Sequence, residues 1–149
     1  MARRRDLKTL KDLVEVRQVQ QRGAEMAVAR TDAALNALCD EQALTLTRLG
    51  EQQDRWSRSI SGPVMSLPIA SAWSAQILDG EAALRGVNLD IENARRDRAD
   101  KATAWRMASA RTDLATDLET SARRQHQTRR DEARLADLSD QFARKSVRP

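Results

Sequence analysis

One stretch interrupts an otherwise helix-forming sequence: Ser57-Arg58-Ser59-Ile60-Ser61-Gly62-Pro63-Val64-Met65-Ser66-Leu67-Pro68. Proline lacks the N–H donor that a helix needs and clashes with the preceding turn, and Gly and Ser favour turns. Long proline-free sequences rich in Ala, Leu, Arg, Glu and Gln lie on both sides. One break between two long helices predicts an antiparallel hairpin that forms a single domain over residues 1–149, with a first arm at 7–57, a turn at 58–68 and a second arm at 69–145.

The composition supports long helices rather than a compact globule. Aromatic residues make up 3% of the chain and charged residues 32%, whereas a compact core of this size would need more large apolar side chains. Charged chains with few aromatics are often disordered, but the apolar residues here recur at regular helical spacing. A chain rich in Ala, Glu, Lys, Leu and Arg with that spacing is typical of a coiled coil.

Steps of three and four residues define one apolar seam on each arm, the pattern of a coiled coil. On the first arm it comprises Leu7, Leu10, Val14, Arg17, Gln21, Ala24, Val28, Thr31, Leu35, Leu38, Gln42, Thr45, Leu49, Gln52 and Trp56. On the second it comprises Trp73, Ile77, Gly80, Leu84, Val87, Ile91, Ala94, Arg98, Lys101, Trp105, Ala108, Thr112 and Ala115. We then expect a slip of register, after which Leu114, Leu118, Leu135 and Phe142 take over. The predicted fold class is all-α, with two long helices forming an antiparallel coiled-coil hairpin.

The arms differ in length, so we expect the second helix to extend beyond the end of the first. With equal rise along both helices, Leu7 lies opposite roughly Glu119. We expect residues from about Thr120 onward to lack an intramolecular partner by the same count.

Charge is divided along the chain. Residues 1–22 hold seven Lys/Arg against three Asp/Glu, and residues 120–149 hold eight against four, whereas the middle is net acidic. A hairpin brings both basic segments to the same end. Such an end suits nucleic acid, but no aromatic residues interleave the arginines and acids are mixed among them. An ordinary solvated helix end and a contact with an acidic protein surface are the alternatives.

The residues that catalysis or metal binding would need are missing. One Cys and one His cannot form a metal cluster, and the five glycines form no phosphate-binding loop. His126 stands among arginines and glutamines, which predicts a surface position without a nucleophile to activate. We therefore expect neither enzymatic activity nor a cofactor.

The sequence favours a cytoplasmic location. Cys39 has no second cysteine to pair with, as in proteins of reducing compartments. The longest uncharged stretch, residues 59–78, carries serines and prolines, so we do not interpret it as a membrane span.

Two tryptophans, Trp56 and Trp73, flank the predicted turn. Each could pack in the seam, as we expect for Trp105. The turn also carries more apolar side chains than two helices can cover, however, and exposed apolar patches mark binding sites. Trp is also frequent at interaction hot spots. Seam packing and docking both remain open for the pair.

Three segments carry a resemblance to a known family. The opening Leu7-Lys8-Thr9-Leu10-Lys11-Asp12-Leu13, the step Trp105-Arg106 and the closing Leu138-Ser139-Asp140-Gln141-Phe142-Ala143-Arg144 resemble FliJ-type proteins of the bacterial flagellar export apparatus and their YscO-type counterparts in injectisomes. The similarity extends to the length of the chain and the position of the break.

The resemblance implies a non-enzymatic central stalk of a type III export apparatus, peripheral to the inner membrane. Its terminal end would enter the ring of a hexameric export ATPase, through Arg3, Arg4, Arg5, Lys8, Lys11, Arg123, Arg124, Arg129, Arg130 and Phe142. Its turn region would meet the cytoplasmic domain of the membrane export gate, through Leu49, Trp56, Trp73, Ile77 and Leu84, with Thr45, Gln52 and Gly80 at neighbouring docking positions. The family is also described as an escort of export chaperones. A generic cytosolic coiled-coil scaffold or chaperone and a nucleic-acid-binding rod are the alternative functions, although we expect no nucleic-acid partner.

Overall fold

The protein is all-α, with two long helices joined by one turn. The computed structural model describes the backbone of residues 2–146 and the side chains of residues 6–145. These residues form α1 (Ala2–Ser61) and α2 (Leu67–Ser146) and no strand. The helices pack against each other, which confirms the predicted helical hairpin. The contacts divide the chain into unit 1 (Met1–Ala24 with Trp105–Pro149) and unit 2 (Glu25–Ala104).

The turn is shorter than the sequence predicts, because both helices extend into it. The serines at the end of α1 bond back to the helix instead of opening it: Ser59 Oγ donates to the Trp56 carbonyl at 2.7 Å and Ser61 Oγ to the Ser57 carbonyl at 2.6 Å. Gly62 precedes a proline, a position that disfavours helical backbone, so α1 ends at Ser61.

The second helix begins before its proline. The Ser66 carbonyl accepts the first helical hydrogen bond, from the Ala70 N–H at 3.0 Å, and Ser is a favoured N-cap residue. Pro68 then stands in the first turn, where the N–H that it lacks would have had no helical acceptor. Five residues, 62–66, are left to connect the helices.

Side-chain hydrogen bonds join the helices in unit 1. Thr112 Oγ1 donates to the Arg17 carbonyl at 3.1 Å and also lies 3.0 Å from the Ala108 carbonyl of its own helix. Gln21 Nε2 donates to Ser109 Oγ at 3.4 Å.

Two further polar pairs cross between the helices in unit 2. Gln42 Nε2 donates to Asn88 Oδ1 at 2.6 Å, and Arg98 forms a salt bridge with Asp32. In the four pairs of the two units, the two residue numbers add up to 129 or 130. Within each unit the two helices therefore run antiparallel.

The predicted seam of the first arm is correct. Every seam position from Leu7 to Gln52 is buried or half-buried, and only Trp56, at the last position, is more exposed. On the second arm the seam positions from Trp73 to Ala94 are covered in the same way.

The predicted register slip on the second arm is wrong. Leu114 and Leu118 are 61% and 49% exposed, whereas Thr112 and Ala115 are buried. The original heptads continue through Glu119, Ala122 and His126, which are all half-buried. His126 is thus a seam residue and not the surface residue that we expected. The hydrogen bonds from Thr112 to the Arg17 carbonyl and from Gln21 to Ser109 hold the original register just before the point where we expected the slip.

The exposed segment of α2 begins later than expected. Its side chains are exposed at every position from 127 to 145, so burial in the seam ends after His126 rather than near Thr120. Leu135 and Phe142 belong to this segment, with 67% and 71% of their surface exposed, and neither packs in the seam.

Charged residues at seam positions reach out to solvent. Arg98 and Lys101 are both exposed, and each lies near a carboxylate, Arg98 at Asp32 across the seam and Lys101 at 3.9 Å from Asp97 on its own helix. Long cationic side chains can cover apolar surface with their stems while the charge stays hydrated. Trp105 is 37% exposed, so this part of the seam is thinly covered.

Across residues 2–146, neither helix contains a segment apolar enough to cross a membrane.

Candidate functional site

The turn region of unit 2 displays apolar side chains that the two helices do not cover. Val64 is 86% exposed, and Leu67 and Ile69 follow at 69% and 53%. Since two helices offer only one seam, side chains that point away from it stay in water. Contiguous exposed apolar surface of this kind marks binding sites.

A groove of about 540 Å³ opens beside the turn. Its walls come from Gln53, Asp54, Trp56 and Ser57 of α1 and from Ser74, Ile77 and Leu78 of α2. Trp56 is 37% and Leu78 is 62% exposed. The groove therefore combines apolar side chains with a few polar ones, a composition that ligand-binding surfaces share.

The two tryptophans at the turn have different environments. Trp56 lines the groove, whereas Trp73 is half-buried and carries the Arg55 guanidinium 5.3 Å above its ring centroid. A cation over an aromatic face is attracted by the ring quadrupole. Trp56 is thus the residue available to a partner, and Trp73 is shielded by Arg55.

A smaller groove of about 260 Å³ lies along the same unit and contains several of the predicted gate-docking positions. Leu49 is buried at 8% exposure and shapes the floor, and Leu84, half-buried, does not line it. The lining residues are Thr45, Arg48, Leu49, Gln52, Gln76, Asp79, Gly80 and Ala83.

Close helix approach defines one wall of this smaller groove. A Cβ at Gly80 would stand 3.0 Å from Gln52 Oε1 and 3.1 Å from Leu49 Cδ1. Gln52 Oε1 is buried without a hydrogen-bond partner among the described residues.

The predicted ATPase-contact residues lie in unit 1, where the basic segments meet. The side chains of Arg3, Arg4 and Arg5 lie outside the described residues. Lys8 and Lys11 are exposed on α1, and Lys11 Nζ lies 4.0 Å from Glu15.

On α2 the basic residues continue into the exposed segment, residues 127–145. Arg123 pairs with Glu119 at 2.7 Å, which neutralises part of its charge. Arg124 and Arg129 border a shallow depression of about 300 Å³ together with Glu132. Arg130 and Phe142 are also exposed, and the acids Asp131 and Glu132 follow the arginines directly.

Sequence reasoning missed Leu78, the most exposed apolar residue of the larger groove. It follows the seam residue Ile77 directly, and two adjacent large apolar residues on a helix cannot both face the same partner. The adjacent pair Ile77-Leu78 therefore indicated that one of the two faces away from the seam. The seam pattern alone places Ile77 in the seam and does not include Leu78.

The described residues offer no metal site, since nowhere in them do three or more His, Cys, Asp or Glu side chains come together. No protein-family model matches the chain, and no curated protein or solved structure matches it significantly.

Proposed function

We propose that the chain is a non-enzymatic adaptor of a type III protein export apparatus that connects a hexameric export ATPase to the cytoplasmic domain of the membrane export gate. The resemblance of Leu7–Leu13 and of residues 138–144 to FliJ-type proteins supports this assignment. Under it, the protein works in the cytoplasm at the inner-membrane apparatus and can also escort export chaperones.

The larger groove is the observation that carries the proposal. It is open, apolar at its floor and bordered by the exposed side chains of Trp56 and Leu78. Trp anchors in such surfaces contribute much of the binding energy of protein interfaces. A partner that inserts an apolar side chain into the groove would exclude water from that side chain and from the groove.

The basic segments of unit 1 provide a second contact of different chemistry. Exposed Arg124, Arg129 and Arg130 suit an acidic surface, and their attraction speeds association at long range. Apolar docking in unit 2 and electrostatic docking in unit 1 give one chain two kinds of partner, which is what an adaptor requires.

Substitution of Leu78 tests the proposal. Leu78→Ser removes an exposed side chain of the groove, so the melting temperature should stay nearly unchanged. Capture of the gate cytoplasmic domain should weaken by about 2 kcal/mol, roughly thirtyfold, as at a hot spot. Leu89→Ser is the matched control, because Leu89 is 59% exposed on the same helix and does not line the groove.

Other outcomes would assign another function. Equal losses of affinity in the two variants, or no capture of the gate domain by the unaltered chain, would contradict the export role. Binding of unfolded polypeptides without preference would then indicate a chaperone or scaffold. Duplex DNA binding with a steep salt dependence would indicate a nucleic-acid-binding protein.

A further inference from the structure

The uncharged stretch of the sequence, residues 59–78, is folded into one end of unit 2. It forms the last residues of α1, the connection 62–66 and the first three turns of α2. Five large apolar side chains of this end are exposed, and we call them the turn cap: Ile60, Val64, Met65, Leu67 and Ile69. They do not line either of the two grooves of unit 2.

The turn cap surrounds the end of unit 2 instead of forming one face. Ala70 is buried at the seam. At 100° per residue, Leu67 and Ile69 lie about 60° and 100° from Ala70, on opposite sides of the helix. Val64 and Met65 lie in the connection itself. A partner with one flat surface covers one of these sides, whereas a fluid phase that the end enters covers all of them.

The charges nearest to this end are positive. No charged residue occurs between Arg58 and Asp79. Along α1, Arg58 and Arg55 lie about 4.5 Å and 9 Å from the end of the helix, at 1.5 Å per residue. The first acid on each helix lies farther away, Asp54 about 10.5 Å from the end of α1 and Asp79 about 18 Å from the start of α2.

The sides of unit 2 have the opposite net charge. The unit holds twelve Asp/Glu against nine Lys/Arg, and Arg55 and Arg58 are two of those nine. An anionic surface therefore repels the sides of the unit and attracts its end. Exposed charges more than a Debye length away, about 10 Å at 0.1 M salt, contribute little, so the two arginines dominate at the end.

Two tryptophans stand at the level of these arginines. Trp56 lies about 7.5 Å from the end of α1, and Trp73 lies about 9 Å from the start of α2. The Arg55 guanidinium lies 5.3 Å from the ring centroid of Trp73. Trp and Arg side chains occupy the headgroup level beside inserted apolar segments. From the end inward, the order is apolar residues, then Arg and Trp, then acids, which matches a bilayer interface from acyl chains to water.

We propose that the turn cap is a peripheral membrane-binding site that inserts into the interface of an anionic bilayer. The apolar side chains reach the boundary between headgroups and acyl chains, a depth of about 5–10 Å, and Arg58 and Arg55 lie among the lipid phosphates. The insertion is shallow, because irregular backbone cannot leave its polar groups unsatisfied in hydrocarbon. Pro63 and Pro68 lower that cost, since neither has an N–H.

Binding through the turn cap should be weak and reversible. One myristoyl chain binds bilayers with an association constant of about 10⁴ M⁻¹, and five partly inserted side chains should not exceed that value. Each arginine near an anionic surface strengthens binding about fivefold. Stable anchoring takes two attachments, so the turn cap alone holds the chain at a membrane only transiently.

Flotation with lipid vesicles is the first test. The full chain should float with vesicles of phosphatidylcholine and phosphatidylglycerol, and much less with phosphatidylcholine alone. Val64→Ser combined with Leu67→Ser should weaken binding at least about tenfold, since buried apolar area sets interfacial affinity. Leu44→Ser combined with Leu89→Ser is the matched control, because these residues are 58% and 59% exposed in the same unit but far along the helices from the turn. Absence of flotation, or equal losses in both double variants, would overturn the proposal.

Single arginines test the end-on orientation. Arg58→Gln should weaken binding to the anionic vesicles about fivefold. Arg85→Gln removes the same charge at an exposed site about 27 Å from the start of α2, so it should leave binding unchanged. Equal losses would show that net charge alone drives the association and would contradict insertion of the turn.

A probe on the turn cap measures insertion directly. In a Cys39→Ser background, a polarity-sensitive dye attached through Val64→Cys should shift its emission to the blue on anionic vesicles. The same dye attached through Leu89→Cys should not shift, and equal shifts at the two sites, or none at Val64, would exclude the insertion. These vesicle experiments contain no other protein, so their outcome is independent of the export role. Loss of gate-domain capture by the Val64 and Leu67 double variant, without vesicle binding by any chain, would instead assign the turn cap to a protein contact.

Discussion

Single residues determine how closely the helices approach. Gly80 allows Leu49 and Gln52 to lie against the backbone of α2. A Cβ added at this residue would stand 3.1 Å from Leu49 Cδ1 and 3.0 Å from Gln52 Oε1. Thr112, with a buried hydroxyl, bonds directly to the Arg17 carbonyl of the opposite helix. Small residues at the seam thus bring the backbones together instead of filling space between them.

Replacing either of two glycines by alanine distinguishes the effect of helix propensity on stability from the effect of close packing. Gly86 has nothing within 4 Å of an added Cβ, so Gly86→Ala should raise the free energy of unfolding by about 1 kcal/mol through helix propensity alone. Gly80→Ala gains the same propensity but crowds Leu49 and Gln52, and overpacking costs about 1–3 kcal/mol.

We therefore expect Gly80→Ala to be no more stable than the unaltered chain, as measured by urea denaturation. An equal gain at both positions would mean that Leu49 and Gln52 move aside freely, and that the approach at Gly80 is not a constraint.

At the level of elements, the spacing of apolar residues predicted the helices and the first-arm seam correctly. The prediction failed on the second arm, where the largest apolar residues do not stand at the heptad positions. Leu114 and Leu118 are larger than Thr112 and Ala115, yet the smaller residues occupy the seam, because the register is set by the whole helix and not by the most apolar local choice. Leu78 was less predictable, since its exposure on the groove depends on which side of the seam it faces.

The helix that extends past its partner should be dispensable for folding. Residues 127–145 are exposed at every position, so removing residues 130–149 should change the free energy of unfolding by less than about 1 kcal/mol. Removing residues 120–149 also deletes Ala122 and His126, the half-buried partners of the first turns of α1. That longer deletion should lower the stability clearly.

Thermal denaturation followed by circular dichroism compares the two truncations. A large loss from the shorter one would show that the segment beyond His126 packs on the rest of the chain, contrary to its exposure in the structure.

For the whole molecule, exposed surfaces of different chemistry are distributed over the two units. Unit 2 carries the groove at Trp56 and Leu78, and unit 1 carries the exposed arginines. The middle of the chain is net acidic while both terminal segments are net basic, so the charge division follows the units closely. Under the proposed function, these surfaces should be separable by substitution.

Reversing the charge of three arginines in and just before the exposed segment of α2 tests that separation. Replacing Arg124, Arg129 and Arg130 by Glu should abolish stimulation of the partner ATPase, because an acidic surface would then be repelled. Helicity and capture by the gate domain should be unchanged, since these side chains are exposed and lie in unit 1. Stimulation by the unaltered chain should also weaken with added salt, as exposed charge attraction does over the Debye length of about 10 Å at 0.1 M.

The matched control reverses three exposed arginines of unit 2, Arg30, Arg85 and Arg95. It changes the net charge by the same amount, so it should leave ATPase stimulation largely intact if the position of the charge matters. Equal losses from both triple variants would show that stimulation depends only on net charge. In that case Arg124, Arg129 and Arg130 are not a specific contact, and the adaptor would have to engage the ATPase elsewhere.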